Sequence, residues 1–236
     1  MKHFGFTLAE VLITLGIIGI VAAMTIPSLN SKITKRQVEA RTKVAYSTIA
    51  QAMKMSENDG NTSVSIVNNS TTSMKEWFNK NLGNSLKVTS ICFQQAGCWH
   101  KKGVVKTLQH QTPNFETNVG IDDSTLGWGT LTFKTAKGIW GNLDGSSSGT
   151  NSSLFGVDAK GNSLEFYIDV NGDRGPNIIG KDIYILVYND DIGTVPAGYS
   201  RTKAQVEQNC LTGNGYWCLS KLMNDGWKID DKVWKR

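Results

Sequence analysis

Asp169, Asn171 and Asp173 set oxygen-bearing side chains at alternate positions of one short loop, Asp169-Val170-Asn171-Gly172-Asp173-Arg174-Gly175-Pro176-Asn177, and Asp182 follows close behind. This spacing resembles the opening of a calcium loop, because Ca²⁺ takes about six to eight oxygens from flexible turns. Asp182 would close such a site. The pattern departs from the EF-hand, with Arg174 where that loop needs glycine and Gly180 where it needs a bidentate glutamate. The commoner arrangement for these residues is a turn in which Asp and Asn side chains bond their own backbone and glycines supply positive φ. Calcium is the one cofactor the sequence suggests.

The four cysteines fall in two close pairs, Cys92 with Cys98 and Cys210 with Cys218. Three pairings are open to four cysteines, and the local one is the expectation. Disulfides would place the domain in an oxidising compartment. Cys92, Cys98, His100 and His110 also offer zinc-type ligands, but their spacing matches no common zinc pattern. Gly145-Ser146-Ser147-Ser148-Gly149 satisfies GxSxG, yet a nucleophile elbow needs a strand before it and a helix after it. Its neighbours are Asp, Gly, Ser, Thr and Asn, which read as a loop. No HExxH or phosphate-binding loop occurs, and no enzyme is expected. Scattered Trp residues are more often core than ligand platform, but an exposed aromatic with basic neighbours, for instance Trp99 with Lys101 and Lys102, would favour stacking of a ligand. The net charge of +5 is spread along the chain and makes no nucleic-acid footprint.

A different carboxylate dominates the start of the chain. Gly5 to Leu29, GFTLAEVLITLGIIGIVAAMTIPSL, is an apolar run broken only by Glu10 and preceded by a short leader carrying Lys2. A helix of about 20 such residues spans a hydrocarbon core of about 30 Å. Taken alone, Glu10 would snorkel to the headgroup layer of a membrane anchor. The leader is too short for an ordinary secretory signal.

Gly5 followed by Phe6, Glu10 four residues on, Gly19 within the run and Pro27 near its end together resemble the N-terminus of type IV pilins and type II secretion pseudopilins. The resemblance implies cleavage after Gly5 by a prepilin peptidase, N-methylation of Phe6 by the same peptidase/methyltransferase, and an assembly role for Glu10. In an apolar bundle its carboxylate would neutralise the α-amine of a neighbouring subunit. The implied product is a structural filament subunit or, alternatively, a minor tip pilin that binds a surface, DNA or a secreted substrate. Implied partners are other pilin subunits and an inner-membrane assembly platform. The chain would cross the inner membrane once and then join an extracytoplasmic filament. The Cys210 to Cys218 segment resembles the C-terminal disulfide loop of many pilins. Lys32, Lys35, Arg36, Arg41 and Lys43 oppose this orientation, since basic residues beside a membrane segment favour the cytoplasmic side; the cysteines favour the outside.

The elements that must hold these residues follow from pattern. Ser28 to Asn58 lacks glycine and proline and repeats Ile33, Val38, Val44, Ile49 and Met53 at roughly helical spacing, with Asp59-Gly60 as a stop. Pro27 should kink the helix. A short helix is expected over Met74 to Leu82. Strands are expected at Thr130 to Thr135, Gly138 to Asn142, Phe155 to Asp158, Ser163 to Val170 and Asp182 to Tyr188. Seven Trp, six Tyr and eight Phe supply a core. The expected fold is α+β and pilin-like: a long N-terminal helix, membrane-spanning in its first half and kinked near Pro27, packed on an antiparallel β-sheet domain. The divisions are leader 1–5, membrane and filament-core helix 6–29, amphipathic extension 30–59 and β-rich globular domain 60–236.

Overall fold

The computed structural model describes residues 7–61, 71–83, 85–93, 95–113, 131–146 and 154–236. The chain divides into two compact units, Met1–Gln37 and Val38–Arg236. Helix α1, Leu8–Asn58, contributes to both. In the first unit Leu8, Leu12, Ile13, Leu15, Ile17, Ile18 and Ile20 are all exposed. The hydroxyls of Thr14 and Thr25 donate to carbonyls of the preceding turn, at 2.9 Å to Glu10 O and 2.9 Å to Val21 O. Neither therefore brings an unmatched donor to this apolar surface.

The expectation of a membrane-spanning first half is not met by what is described. Among the described residues no helix is long and apolar enough to cross a membrane. The described part of this apolar run includes the carboxylate of Glu10. α1 continues through Pro27 without a break in its helical assignment. The side chains at 26–33 lie outside the description, and so does the expected kink.

The second unit is an antiparallel meander in which every strand pairs with its neighbour in sequence, in the order β1 to β6. The strands are β1 Val88–Phe93, β2 Leu131–Thr135, β3 Trp140–Ser146, β4 Ser163–Asp169, β5 Ile183–Asn189 and β6 Gly193–Pro196. A short helix α2, Thr71–Phe78, precedes them and ends in a π-turn over Asn79–Gly83. Alternation along β4 sorts its side chains to two faces. Leu164, Phe166 and Ile168 join Val38, Ala45, Ile49, Ala52 and Met53 of α1 in one core. Tyr167 on the opposite face joins a second core with Ile183, Ile185 and Val187 of β5. That second face is covered by Trp99, Val105, Phe155, Val157, Ile179 and Tyr216. β4 and β5 are consequently buried on both sides.

α1 is tied to this unit by polar contacts as well as by its apolar face. Glu39, buried, accepts from Ile229 N at 2.9 Å, and Arg41 donates to Lys137 O at 2.7 Å. Gly141 lies opposite Phe133 in the β2–β3 register, and a Cβ there would overlap the Phe133 ring. Three helices close the chain: α3 Lys203–Leu211, α4 Cys218–Asn224 and α5 Asp231–Trp234. Thr202 caps α3 through a reciprocal box with Gln205, satisfying two amide donors that a helix start leaves open.

One expected strand is corrected. Phe155 to Asp158 is not a strand, because Gly156 sits at φ +69°, which breaks extended geometry. The segment instead gives carbonyls to Gly198 N and Ser200 N and buries Phe155 and Val157 in the outer layer. β1, β6 and the three C-terminal helices fall outside the expected elements. The domain is therefore less purely β than its composition suggests.

Candidate functional site

Gly5 and Phe6 lie outside the described residues. Glu10 is described, and its carboxylate closes the first turn of α1. Glu10 Oε2 accepts from Thr7 N and from Thr7 Oγ1, each at 2.8 Å, while Glu10 N donates back to Thr7 Oγ1 at 3.2 Å. Thr7 and Glu10 thus form a reciprocal capping box. Sequence reading missed this role, although Thr7-x-x-Glu10 is the visible signature.

The loop from Asp169 to Asp182 draws three of its four expected oxygen residues together. Asp169 Oδ1 accepts from Asn171 N at 2.9 Å and Gly172 N at 2.7 Å. Its other oxygen lies 2.7 Å from His100 Nε2, with both side chains buried. Asp182 Oδ1 accepts from Ile178 N at 2.7 Å; its Oδ2 accepts from Asn177 N at 2.9 Å and from Asn171 Nδ2 at 3.2 Å. Asp173 stays exposed. Gly172 at φ +68° makes the tight turn, where a Cβ would come within 2.9 Å of the Trp140 ring nitrogen. Burial, and then the charge of Asp169, push Asp182 up to about 7 against the pull of its N–H donors. Burial also raises Asp169, and the His100 contact opposes it. All four carboxylate oxygens of Asp169 and Asp182 are engaged by partners within the fold. Among the described residues, no group of three or more His, Cys, Asp or Glu side chains is arranged to hold a metal ion.

The cysteines are joined locally, Cys92 to Cys98 and Cys210 to Cys218. This removes the thiolates from any zinc reading of Cys92, Cys98, His100 and His110. His110 instead contacts Arg236 O at 3.1 Å. Trp99 is buried in the outer core, so the stacking platform suggested by its Lys101 and Lys102 neighbours is corrected. In the GxSxG match Gly145 and Ser146 end β3, and residues 147–149 lie outside the description.

The sequence reading missed a polar row on the outer face of β3 and β4. Asp144 of β3 stands directly opposite Glu165 of β4, and Asn142 opposite Tyr167. Asn142 and Glu165 have no exposed surface, and Asp144 keeps 6%. Ser163 Oγ donates to Glu165 Oε1 at 2.7 Å. Glu165 Oε2 and both amide atoms of Asn142 find no hydrogen-bond partner among the described residues. Burial drives Glu165 up to about 8, with the Asp144 charge adding to it. Burial likewise raises Asp144 to about 7. The signal was in the alternation of Asn142-Leu143-Asp144 and Ser163-Leu164-Glu165, which puts the polar residues on one face.

No curated protein and no solved structure matches the chain. Its first residues are another matter: residues 1–26 match the prokaryotic N-terminal methylation motif, the hallmark of type IV pilins and pseudopilins.

Proposed function

We propose that this protein is a structural subunit of a type IV pilus-like or type II pseudopilus filament, matured by a prepilin peptidase that cuts after Gly5 and methylates Phe6. The methylation motif over residues 1–26 carries this reading. The exposed apolar side chains from Leu8 to Val21 support it, since such a surface needs lipid or neighbouring helices to cover it. Before assembly the segment 6–29 would reside in the inner membrane, beside an assembly platform; afterwards it would pack against the same segment of other subunits. The disulfides suit display outside the cytoplasm.

Glu10 then has two partners in succession. In the single chain Thr7 holds its carboxylate; in a filament the methylated amine of a neighbour's Phe6 competes for it, because a charged pair outbids a neutral donor in apolar surroundings. Intact mass of the mature protein tests the processing step. Loss of Met1 to Gly5 with one added methyl is the expected result, and Gly5→Trp should retain the leader. An uncut chain in cells with active prepilin peptidase overturns the proposal. Glu10→Ala should leave the Val38–Arg236 unit folded while lowering co-assembly with wild-type subunits.

A further inference from the structure

Two buried carboxylates face each other across the β3–β4 ladder with no cation among the described side chains to balance them. Asp144 and Glu165 are direct cross-strand partners, which on one sheet face brings Cβ atoms to about 5 Å. Like charges there repel, and removing each from water is costly. An ordinary structural pair of this kind is bridged by donors. Here the donors are few: Ser163 Oγ and the backbone N–H of Glu165 reach the Glu165 carboxylate, and Gly145 N bonds Asp144. Glu165 Oε2 is left without a partner among the described residues.

Asn142 is a second and independent sign. It lies two residues before Asp144 on the same strand face and is fully buried, yet neither its amide oxygen nor its nitrogen is bonded among the described residues. A buried amide is ordinarily satisfied. The unmatched groups share one patch and include two oxygen acceptors, Glu165 Oε2 and Asn142 Oδ1.

We propose that this patch is a binding site for a hard divalent cation, calcium or magnesium, held by Asp144, Glu165 Oε2 and Asn142 Oδ1. An all-oxygen set with two carboxylates and one neutral carbonyl suits these ions over zinc or copper, which favour nitrogen and sulfur. Their charge cancels that of the pair. Ser163 acts as a positioning residue, turning Glu165 so that Oε2 remains available. Water completes the coordination shell, as magnesium in particular demands.

The test is thermal unfolding and calorimetric titration of the full-length protein in detergent, first in chelator and then with Ca²⁺ or Mg²⁺ added separately at pH 8. At least one ion should bind the wild type and raise its unfolding midpoint by several degrees. Glu165→Gln and Asp144→Asn should abolish that rise while keeping the metal-free midpoint at or above wild type. Asp173→Asn, in the exposed loop, should leave it unchanged. Absence of binding to the wild type by either ion overturns the proposal and leaves a pair that shares a proton. Loss of the response in Asp173→Asn, with retention in Glu165→Gln, also overturns it by moving the ion to the Asp169 to Asp182 loop. Should Glu165→Gln or Asp144→Asn fail to fold, Asn142→Ala takes its place: loss of the midpoint rise supports the site, and a rise equal to wild type overturns it.

Discussion

Asp169 with Asp182, and Asp144 with Glu165, are two buried acidic regions on one domain, and they differ in how their oxygens are used. In the first, five backbone or side-chain N–H groups and His100 meet the four carboxylate oxygens. In the second, the Ser163 hydroxyl and the backbone amides of Gly145 and Glu165 do so, and an oxygen and a whole carboxamide remain unmatched among the described residues. The lesson is that burial and charge alone do not mark a ligand site; the balance of donors does. A turn brings its own N–H groups to an acidic side chain. A regular strand brings fewer, because most of its amides are committed to the ladder.

The largest expected effect lies on the saturated side. Asp169→Ala removes the partner of buried His100 and of two backbone N–H groups, and the unfolding free energy should fall by about 3 kcal/mol or more. Denaturant unfolding measures it; a loss under about 1 kcal/mol would mean that this network is not what holds the loop.

The second test concerns pH, in the presence of chelator. Glu165 has its folded pKa raised from 4.5 to about 8, so between those values the folded chain holds a proton that the unfolded chain has lost. Its contribution to stability is complete below about 4.5 and is lost as pH rises through 8. Asp144 and Tyr167 face the same patch. Tyr167, pushed well above its ordinary value by burial, stays neutral in this window, and Asp144 adds to the trend in the same direction. Wild type should therefore lose stability relative to Glu165→Gln on going from pH 5 to pH 8. A difference that is flat with pH breaks the contrast between the two regions.

The smallest effect sharpens it. Asn171→Ala removes a 3.2 Å bond to Asp182, which keeps its two backbone donors. A loss of about 1 kcal/mol is expected in the same unfolding assay, with the response to divalent cations unaltered.

This contrast also explains which parts of the molecule were legible in the chain. The loop from Asp169 to Asn177 announced itself because its oxygens sit within a few residues of one another. The Asp144 and Glu165 pair is brought together by strand register over 21 positions, which spacing does not reveal. Val38, Ile49 and Met53 were readable as a buried helical face, whereas Val44 of the same series is 45% exposed, since the spacing drifts off the stripe. β2, β4 and β5 lie close to their expected bounds. Phe155 and Val157 mimicked a strand because alternating apolar residues also serve a covering layer, and Gly156 was the warning. The C-terminal helices were overlooked amid turn-rich composition, though Thr202 and Gln205 spelled out a cap. At the N-terminus the cluster of Gly5, Phe6 and Glu10 was the most informative segment, and the motif match covers it.

The nearest-neighbour order of the strands has a kinetic consequence. Because each strand pairs with the one before it, the sheet can grow hairpin by hairpin, without a strand waiting on a distant partner, and such local topologies fold fast. Asp144 and Glu165 meet as soon as β3 and β4 zip together. The outer layer draws on the β3–β4 connection itself, through Phe155 and Val157, and on the more distant Trp99, Val105 and Ile179. The acidic pair is thus fixed by the most local part of the topology, while the finished outer layer also needs contacts from far along the chain.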